Sequence, residues 1–245
     1  MDRHSCIGET VPQITGSEIQ SSRPLTGGDV AASYCVALVD GRTVFAKTHA
    51  DPPGHFFDTE ARGLAWLSEA DALPVPVVLG ASDEPPLLVL EWIDEASTPP
   101  RDDAAFGTGL AQLHHAGAPC FGRTDRRTTG SRGLPNEPCD TWAEFYETQR
   151  LLPLIRLAHD SQIYDDRRLA VFTAVASRLD VVGGAPEPPA RLHGDLWAGN
   201  RIVDRFGTSW LIDPACHGGH REFDLAMMQL FGGFSDMIFR TYDQI

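Results

Sequence analysis

The chain has 245 residues, and its 20 Lys and Arg stand against 34 Asp and Glu, which gives a formal net charge of −14. A chain of this length buries roughly 70–75% of its extended surface, so one large domain or two small lobes can fold without a metal or a disulfide. The acidic balance argues against nucleic acid and anionic membranes as partners, because no dense run of Lys or Arg opposes it.

The cysteines and the apolar segments favour a cytoplasmic protein. The five cysteines are odd in number and never form a Cys-x-x-Cys pair, which argues against a disulfide framework and against a thiolate zinc site. No apolar signal region opens the chain, and no stretch of about 18 apolar residues could span a bilayer. We therefore expect a cytoplasmic protein with free thiols.

The first predicted elements are two strands joined by a tight turn. Apolar runs at residues 36–39 and 43–47 flank Asp40-Gly41, a dipeptide that readily adopts hairpin-turn geometry. This pattern predicts an antiparallel hairpin.

A helix and a buried strand are predicted next. Apolar residues recur at helical spacing between residues 57 and 67, with Asp58 placed as the N-cap and Pro74 and Pro76 ending the element. The short apolar run at residues 87–93 is typical of a buried strand.

A polar, proline-rich segment at residues 94–100 marks the predicted boundary between two lobes. Beyond it, helical periodicity at residues 106–113 and 169–179 indicates a mostly helical lobe. Residues 202–203 and 210–212 predict a small hairpin within that lobe. The predicted fold class is α+β, with a small lobe of antiparallel sheet and one helix at residues 1–93 and a larger, mainly helical lobe at residues 94–245.

The segment 191–200, together with Asp213, carries the strongest chemical signal. It contains His-x-Asp-x4-Asn followed later by Asp, which is the order and spacing of a kinase catalytic loop and its metal-binding aspartate. The predicted hairpin would bring Asp195, Asn200 and Asp213 together, and converging oxygens suit Mg²⁺. Asp and Asn are also ordinary turn residues, but turn preference alone does not explain the joint spacing.

Two upstream features fit the other half of a phosphoryl-transfer site. Gly27 and Gly28 precede the first hairpin strand, where backbone N–H groups could approach a phosphate, although Gly-Gly is also a common turn. Lys47 ends an apolar strand, and Glu60 lies on the next helix. A Lys–Glu ion pair between strand and helix holds a kinase lysine towards the nucleotide phosphates, whereas exposed pairs of this kind are common and weak.

With these residues, the sequence resembles the fructosamine kinase (ketosamine 3-kinase) family, within the wider aminoglycoside phosphotransferase and protein-kinase-like fold. The resemblance covers nearly the whole chain, and Trp197 is its most discriminating residue. The matching segments are Leu192-His-Gly-Asp-Leu-Trp-Ala-Gly-Asn200, Ile212-Asp-Pro-Ala215, Gly219-His-Arg-Glu-Phe-Asp-Leu-Ala226 and Leu230-Phe-Gly-Gly-Phe234, with Thr26-Gly-Gly28, Phe45-Ala-Lys47, Glu60 and Trp142-Ala-Glu-Phe-Tyr146 upstream.

The resemblance implies an ATP-dependent kinase that phosphorylates the 3-hydroxyl of sugar amines formed by glycation, so that the unstable product sheds the sugar. ATP and Mg²⁺ would be its cofactors, and a glycated amine its substrate. The implied roles are catalytic base for Asp195, Mg²⁺ ligands for Asn200 and Asp213, phosphate clamp for Lys47 held by Glu60, and adenine contact through the backbone for Glu91, Trp92 and Ile93.

Some interpretations stay open. Trp197 could pack in the core or stack against a sugar ring. The aperiodic segment at residues 121–136 is either a functional loop or a disordered surface loop. A substrate carboxylate could be bound there by Arg126, Arg127 or Arg132, although solvated charge is the simpler explanation.

Two alternatives to the function also remain. One is an aminoglycoside- or choline-type small-molecule kinase, and the other is a catalytically inactive nucleotide-binding module. Asp224 could brace the catalytic loop or simply stabilise the start of a helix, while His217 and His220 suggest a metal pair only weakly, since no third ligand stands near them. The family continues with further helices, so we expect the end of the second lobe to be missing, and the oligomeric state is left open.

Overall fold

The computed structural model describes residues 3–26, 31–96 and 102–245 and has a mixed α+β architecture, as the sequence predicts. The N-terminal strands are β1 (Ile19–Pro24), β2 (Ala32–Leu38), β3 (Thr43–Thr48), β4 (Val78–Asp83) and β5 (Pro86–Glu91). They form one antiparallel sheet in the order β1-β2-β3-β5-β4. The last two strands therefore continue the predicted hairpin into a larger sheet.

Helices cover both faces of this sheet. α1 (Arg3–Thr15) packs Ile7 and Val11 into one apolar cluster with β2, β3 and β5. α2 (Phe56–Ser68) belongs to the cluster on the other face. The sequence pattern does not predict α1, because Pro12 stands within it and proline is disfavoured in a helix interior.

The predicted β2–β3 hairpin is confirmed. The backbone N–H of Leu38 donates to the carbonyl of Arg42 at 2.8 Å across the turn. Along β3, Val44 and Ala46 are buried in the cluster beneath α1, so the alternation of a pleated strand sends Lys47 to the opposite face. This alternation is what turns the Lys47 side chain towards α2.

The predicted N-cap of α2 is wrong. The N-cap is His55, whose φ of 61° is left-handed, and Asp58 lies inside the first turn. The backbone N–H of Thr59 donates to the carbonyl of His55 at 2.8 Å, so the N-cap lies three residues before Asp58 and the helix begins at Phe56. The helix also ends at Ser68, before Pro74 is reached.

The C-terminal part is mainly helical, as predicted. Its helices are α3 (Asp103–His115), α4 (Trp142–Tyr146), α5 (Leu152–Asp160), α6 (Asp166–Ala176), α7 (Leu179–Val182), α8 (Glu222–Phe231) and α9 (Asp236–Tyr242), with a π-helical turn joining α4 to α5. Its short strands are β6 (Ala190–Leu192), β7 (Arg201–Val203), β8 (Ser209–Leu211) and β9 (His217–Gly219). β7 pairs with β8, which confirms the small predicted hairpin, and β6 pairs with β9.

One apolar cluster joins the sheet to the helical part. Leu88 and Leu90 of β5 share it with Phe106 and Leu110 of α3 and with Met228 of α8. Each of these buried side chains contributes about 1.5–3 kcal/mol on removal from water. The shared core fixes the sheet relative to the segment that carries the catalytic-loop motif, while the division at residues 93 and 94 stays a prediction.

Two further features concern exposed and apolar surfaces. The helix predicted within residues 169–179 is present as α6, but Phe172 and Val175 are 38% and 51% exposed, so its apolar face is largely uncovered. Within the described ranges, no helix is long and apolar enough to cross a membrane.

Candidate active site

The catalytic-loop motif lies in the turn that follows β6. Gly194 has a φ of +81°, and a Cβ there would lie 2.2 Å from the carbonyl oxygen of Ala215. Only glycine fits this close approach and this left-handed backbone. The turn thereby places Asp195 at the wall of a cavity, directly beside the segment that leads into β9.

Asp195 and Asn200 are joined by hydrogen bonds. The side-chain Nδ2 of Asn200 donates to the carbonyl oxygen of Asp195 at 2.8 Å and to its Oδ2 at 3.1 Å. These bonds fix both side chains at the two ends of one short loop. Burial raises the pKa of Asp195 above its ordinary value, which makes its carboxylate a better proton acceptor.

Asp213 follows β8 and meets the same loop. It has a φ of 52°, a left-handed conformation that aspartate tolerates better than most residues. The backbone N–H of Ile212 donates to the carbonyl of Asn200 at 3.1 Å, so the strand is held beside the loop. The three predicted oxygen-bearing side chains, Asp195, Asn200 and Asp213, therefore line one cavity.

The predicted ion pair between Lys47 and Glu60 is present. Nζ of Lys47 lies 3.1 Å from Oε2 of Glu60 and 2.7 Å from Oδ1 of Asp213. Burial alone would lower the pKa of Lys47, but the two carboxylates outweigh it and raise the pKa. Burial raises the pKa of Glu60, whereas the charge of Lys47 lowers the pKa of Asp213 despite burial. One ammonium thus pairs with two carboxylates, one from α2 and one from the segment that follows β8.

A buried carboxylate braces the loop from behind. Asp224 is fully buried, and its oxygens accept the backbone N–H groups of His193 at 2.7 Å and Gly194 at 2.9 Å. His193 is buried too, and its Nε2 donates to the carbonyl of Ile212 at 2.9 Å. Asp224 lies in the first turn of α8, and its hydrogen bonds show the first of the two roles considered, since they fix the backbone next to Asp195.

The cavity has a volume of about 730 Å³. Lys47 and Glu60 line it together with Asp195, Asn200 and Asp213. Trp197 lines it as well and is 43% exposed, so its ring is not fully packed in the core.

The other five predicted site residues are not placed at the cavity by the described part of the chain. Gly27 and Gly28 lie outside the described residues. Glu91, Trp92 and Ile93 do not contribute to the described lining of the cavity. Glu91 instead accepts the backbone N–H of Val77 at its Oε1, 2.8 Å away.

Sequence reasoning missed much of the remaining cavity wall, which we call the loop-side wall. That wall includes Tyr146, Arg150 and His217, together with residues 128–132 of the aperiodic segment. Burial lowers the pKa of His217 to about 3, so its ring is neutral at ordinary pH. The sequence signals for this wall were the length of the aperiodic segment and its arginines, together with the matching segment that ends at Tyr146. No described group of three His, Cys, Asp or Glu side chains could hold a metal ion there.

Asn200 and Asp213 fit a magnesium site by the chemistry of their donor atoms. Asn200 uses Nδ2 towards Asp195, which leaves its amide oxygen available, and the side chain of Asp213 stays 39% exposed. Mg²⁺ usually takes one or two protein oxygen ligands and completes its shell with substrate phosphates and water. The set is therefore sufficient when a nucleotide supplies the remaining oxygens.

Comparison with known proteins gives a consistent result. The model of the fructosamine kinase family matches residues 5–245. A Synechocystis protein named as a ketoamine kinase is 33% identical over 249 residues, which cover 98% of this chain and 81% of that protein.

Solved structures extend the comparison. A crystal structure described as a fructosamine-3-kinase from Thermobifida fusca has a TM-score of 0.87 and 38% identity, covering 97% of this chain and 83% of that one. The streptomycin–ATP complex of the aminoglycoside phosphotransferase APH(2")-IIa has a TM-score of 0.68 at 16% identity, with 99% and 83% covered. The second likeness shows the fold alone.

Proposed function

This chain belongs to the fructosamine kinase family, and from that premise we propose that it transfers the γ-phosphoryl group of ATP to the 3-hydroxyl of a ketosamine. The acceptor oxygen forms a bond to the γ-phosphorus while the bond from that phosphorus to the β,γ-bridging oxygen breaks, so the products are ADP and a 3-phosphoketosamine. The phosphorylated product then sheds its sugar, which reverses glycation.

In this reaction Asp195 takes the proton of the acceptor hydroxyl. Its carboxylate is held by Asn200 at one side and by the Asp224-braced backbone at the other. A positioned general base of this kind contributes about 10²–10⁴ in rate. Lys47, held by Glu60, neutralises charge on the phosphate oxygens as the transition state forms.

Asn200 and Asp213 would hold Mg²⁺, which would supply positive charge to offset that of the nucleotide phosphates. Residues 1–93 would form the nucleotide-binding lobe and residues 94–245 the catalytic lobe. Within the first lobe, the backbone of Glu91, Trp92 and Ile93 would meet the adenine, and Gly27 and Gly28 would approach the phosphates.

One observation supports this proposal above the others. Lys47, Glu60, Asp195, Asn200 and Asp213 come from distant parts of the chain, yet all five line a single cavity. Ordinary turn preferences do not bring together a lysine from a sheet, a glutamate from a helix and three loop residues.

The test is incubation of the protein with Mg-ATP and fructosyl-lysine, followed by mass spectrometry and phosphorus NMR. We expect a mass gain of one phosphate on the sugar, located at its 3-oxygen. ATP binding by calorimetry without transfer to any acceptor would instead identify an inactive nucleotide-binding module. Transfer to choline or an aminoglycoside but not to fructosyl-lysine would identify the other kinase class.

A further inference from the structure

The two ends of the cavity carry opposite charge. Among the described residues that line it, the three carboxylates are Glu60, Asp195 and Asp213, and all of them belong to the site around Lys47. The loop-side wall contributes two arginines, Arg132 and Arg150, and no described acidic residue. The net charge of the chain is −14. A cavity wall whose described charged residues are all cations therefore points to a ligand that carries negative charge.

Arg150 is a buried cation, and no carboxylate of the described residues lies within ion-pair distance of it. It is 6% exposed, and its guanidinium donates to the carbonyls of Pro135 at 2.6 Å and Gln149 at 2.9 Å and to Oδ1 of Asn136. Burial lowers the pKa of Arg150 to about 10, so the group remains charged at neutral pH. These acceptors are neutral, and the guanidinium also lies over the Phe145 ring, 4.6 Å from its centroid. Among the described residues, no negatively charged group pairs with it.

Arg150 also orders the loop above it. Asn136, which accepts from Arg150, donates through Nδ2 to the carbonyl of Arg127 at 2.7 Å and to Oγ1 of Thr129 at 3.3 Å. Asn136 is fully buried. The segment that was either a functional or a disordered loop is therefore tied down from beneath, with residues 128–132 against the cavity.

The arginines of this loop differ in their partners. Arg123 pairs with Asp125, Arg126 with Glu137 and Arg127 with Asp58. Arg132 has no acidic side chain within ion-pair distance in the part of the chain that the structure describes, and it is the loop arginine that lines the cavity. The paired arginines hold the loop, whereas the unpaired one faces the space where an acceptor would lie.

We propose that the loop-side end of the cavity binds a carboxylate on the amine half of the ketosamine, with Arg132 as the residue that contacts it. The acceptor would then be the glycation adduct of an amino acid with a free carboxylate, in preference to an uncharged amine adduct. Arg132 supplies a planar pair of donors that matches a carboxylate, and the buried charge of Arg150 strengthens the field behind it. This inference rests on the proposed function, because it assigns the acceptor of that same site.

The test compares acceptors that differ in one charge. Fructosyl-glycine is measured against fructosyl-glycinamide, and Nα-acetyl-Nε-fructosyl-lysine against its amide, with the wild-type chain and the Arg132→Gln and Arg126→Gln variants. In at least one pair we expect the wild type to have a KM about 10- to 100-fold lower for the acid, the range of a charge-assisted hydrogen bond. Arg132→Gln should abolish that preference with little change in kcat or in the KM for ATP.

Arg126→Gln is the matched control, since Arg126 stands on the same loop, is paired with Glu137 and does not line the cavity. It should keep the preference. Equal KM values for acid and amide in both pairs, or a preference that survives in Arg132→Gln, would overturn the inference while the kinase activity stands. A low KM for fructosyl-glycinamide 6-phosphate that depends on Arg132 would overturn the carboxylate in favour of a sugar phosphate. Absence of phosphoryl transfer to every ketosamine would overturn the proposed function itself.

Discussion

The two ends of the cavity differ in charge. We call the end around Lys47, where we propose that ATP binds, the nucleotide end, and the end formed by residues 128–132 and Arg150 the loop end. At the nucleotide end the ammonium of Lys47 lies between two carboxylates, 3.1 Å from Glu60 and 2.7 Å from Asp213. At the loop end, the hydrogen-bond acceptors that the described residues offer to Arg150 are all neutral. A single cavity can therefore bind two substrates of different charge distribution, because the opposite charges at its ends favour one orientation of each.

The difference matches the ligand that we propose for each end. Three carboxylates and one ammonium leave the nucleotide end negative, which favours a divalent cation and, through it, the phosphates. The loop end is positive and requires no metal to hold an anion. Misorientation of an acidic acceptor would bring its carboxylate towards the aspartates, where like charges repel.

The largest expected effect comes from Asp195→Asn. The amide keeps the shape of the side chain but cannot take the proton of the acceptor, so kcat should fall by about 10²–10⁴. Steady-state kinetics with Mg-ATP and fructosyl-lysine would measure the loss. ATP binding, followed by calorimetry, should persist.

Asp204→Asn is the matched control for that change. Asp204 accepts backbone N–H groups in the β7–β8 turn and does not line the cavity, and asparagine suits such turns equally well. Its kcat should match that of the wild type. An Asp195→Asn enzyme with unaltered kcat would remove the base from the proposed mechanism.

The nucleotide end is more predictable from sequence than the loop end for a physical reason. Asp195 and Asn200 are fixed by one short loop, and the β7–β8 hairpin returns Asp213 beside them, so local spacing contains most of the geometry. The Lys47–Glu60 pair also follows from strand alternation and the next helix. Sequence spacing could not show that Asp224 fixes the loop through backbone N–H groups, because that contact depends on the tertiary placement of α8.

The loop end depends on contacts between distant residues. Whether Arg126, Arg127 or Arg132 is available to a ligand is decided by the positions of Glu137 and Asp58, and no periodicity encodes those positions. The fold shows the same contrast. The β2–β3 hairpin is predicted by its turn residues, whereas α1 is not predicted by the sequence pattern. The N-cap of α2 is His55, in a left-handed conformation, and not the expected Asp58.

A smaller effect is expected when the charge balance at Lys47 is disturbed. Glu60→Gln leaves the ammonium with Asp213 as its remaining carboxylate partner among the described residues. We expect the free energy of unfolding to fall by about 1–3 kcal/mol, because a buried charge loses one of its two partners. Urea denaturation of the nucleotide-free protein measures this change, and the KM for ATP should rise in parallel.

Glu69→Gln provides the comparison at the end of the same helix. Glu69 is 67% exposed and lies 3.8 Å from Arg191, and exposed pairs contribute little. Its unfolding free energy should stay within about 0.5 kcal/mol of the wild type. Equal unfolding free energies of the Glu60→Gln and wild-type chains would show that the ion pair between Lys47 and Glu60 does not stabilise the fold.

The smallest effect is expected at Trp197, which lies in the cavity wall between the residues of the catalytic loop. Its ring packs over Gly199, where a Cβ would lie 2.2 Å from Cη2, while 43% of the residue stays exposed. If the ring stacks on the acceptor, Trp197→Ala should raise the acceptor KM about 3- to 10-fold, the value of an aromatic contact. The KM for ATP should not change.

Phe206→Ala controls for the loss of an exposed aromatic ring. Phe206 is 76% exposed and does not line the cavity, so its removal should leave both KM values as they are. Core packing of Trp197 would give a different signature, namely a loss of about 3–5 kcal/mol in unfolding free energy with an unchanged acceptor KM. Since stacking acts on the acceptor and packing acts on the fold, measuring KM and urea stability on the same two variants separates the two interpretations of Trp197.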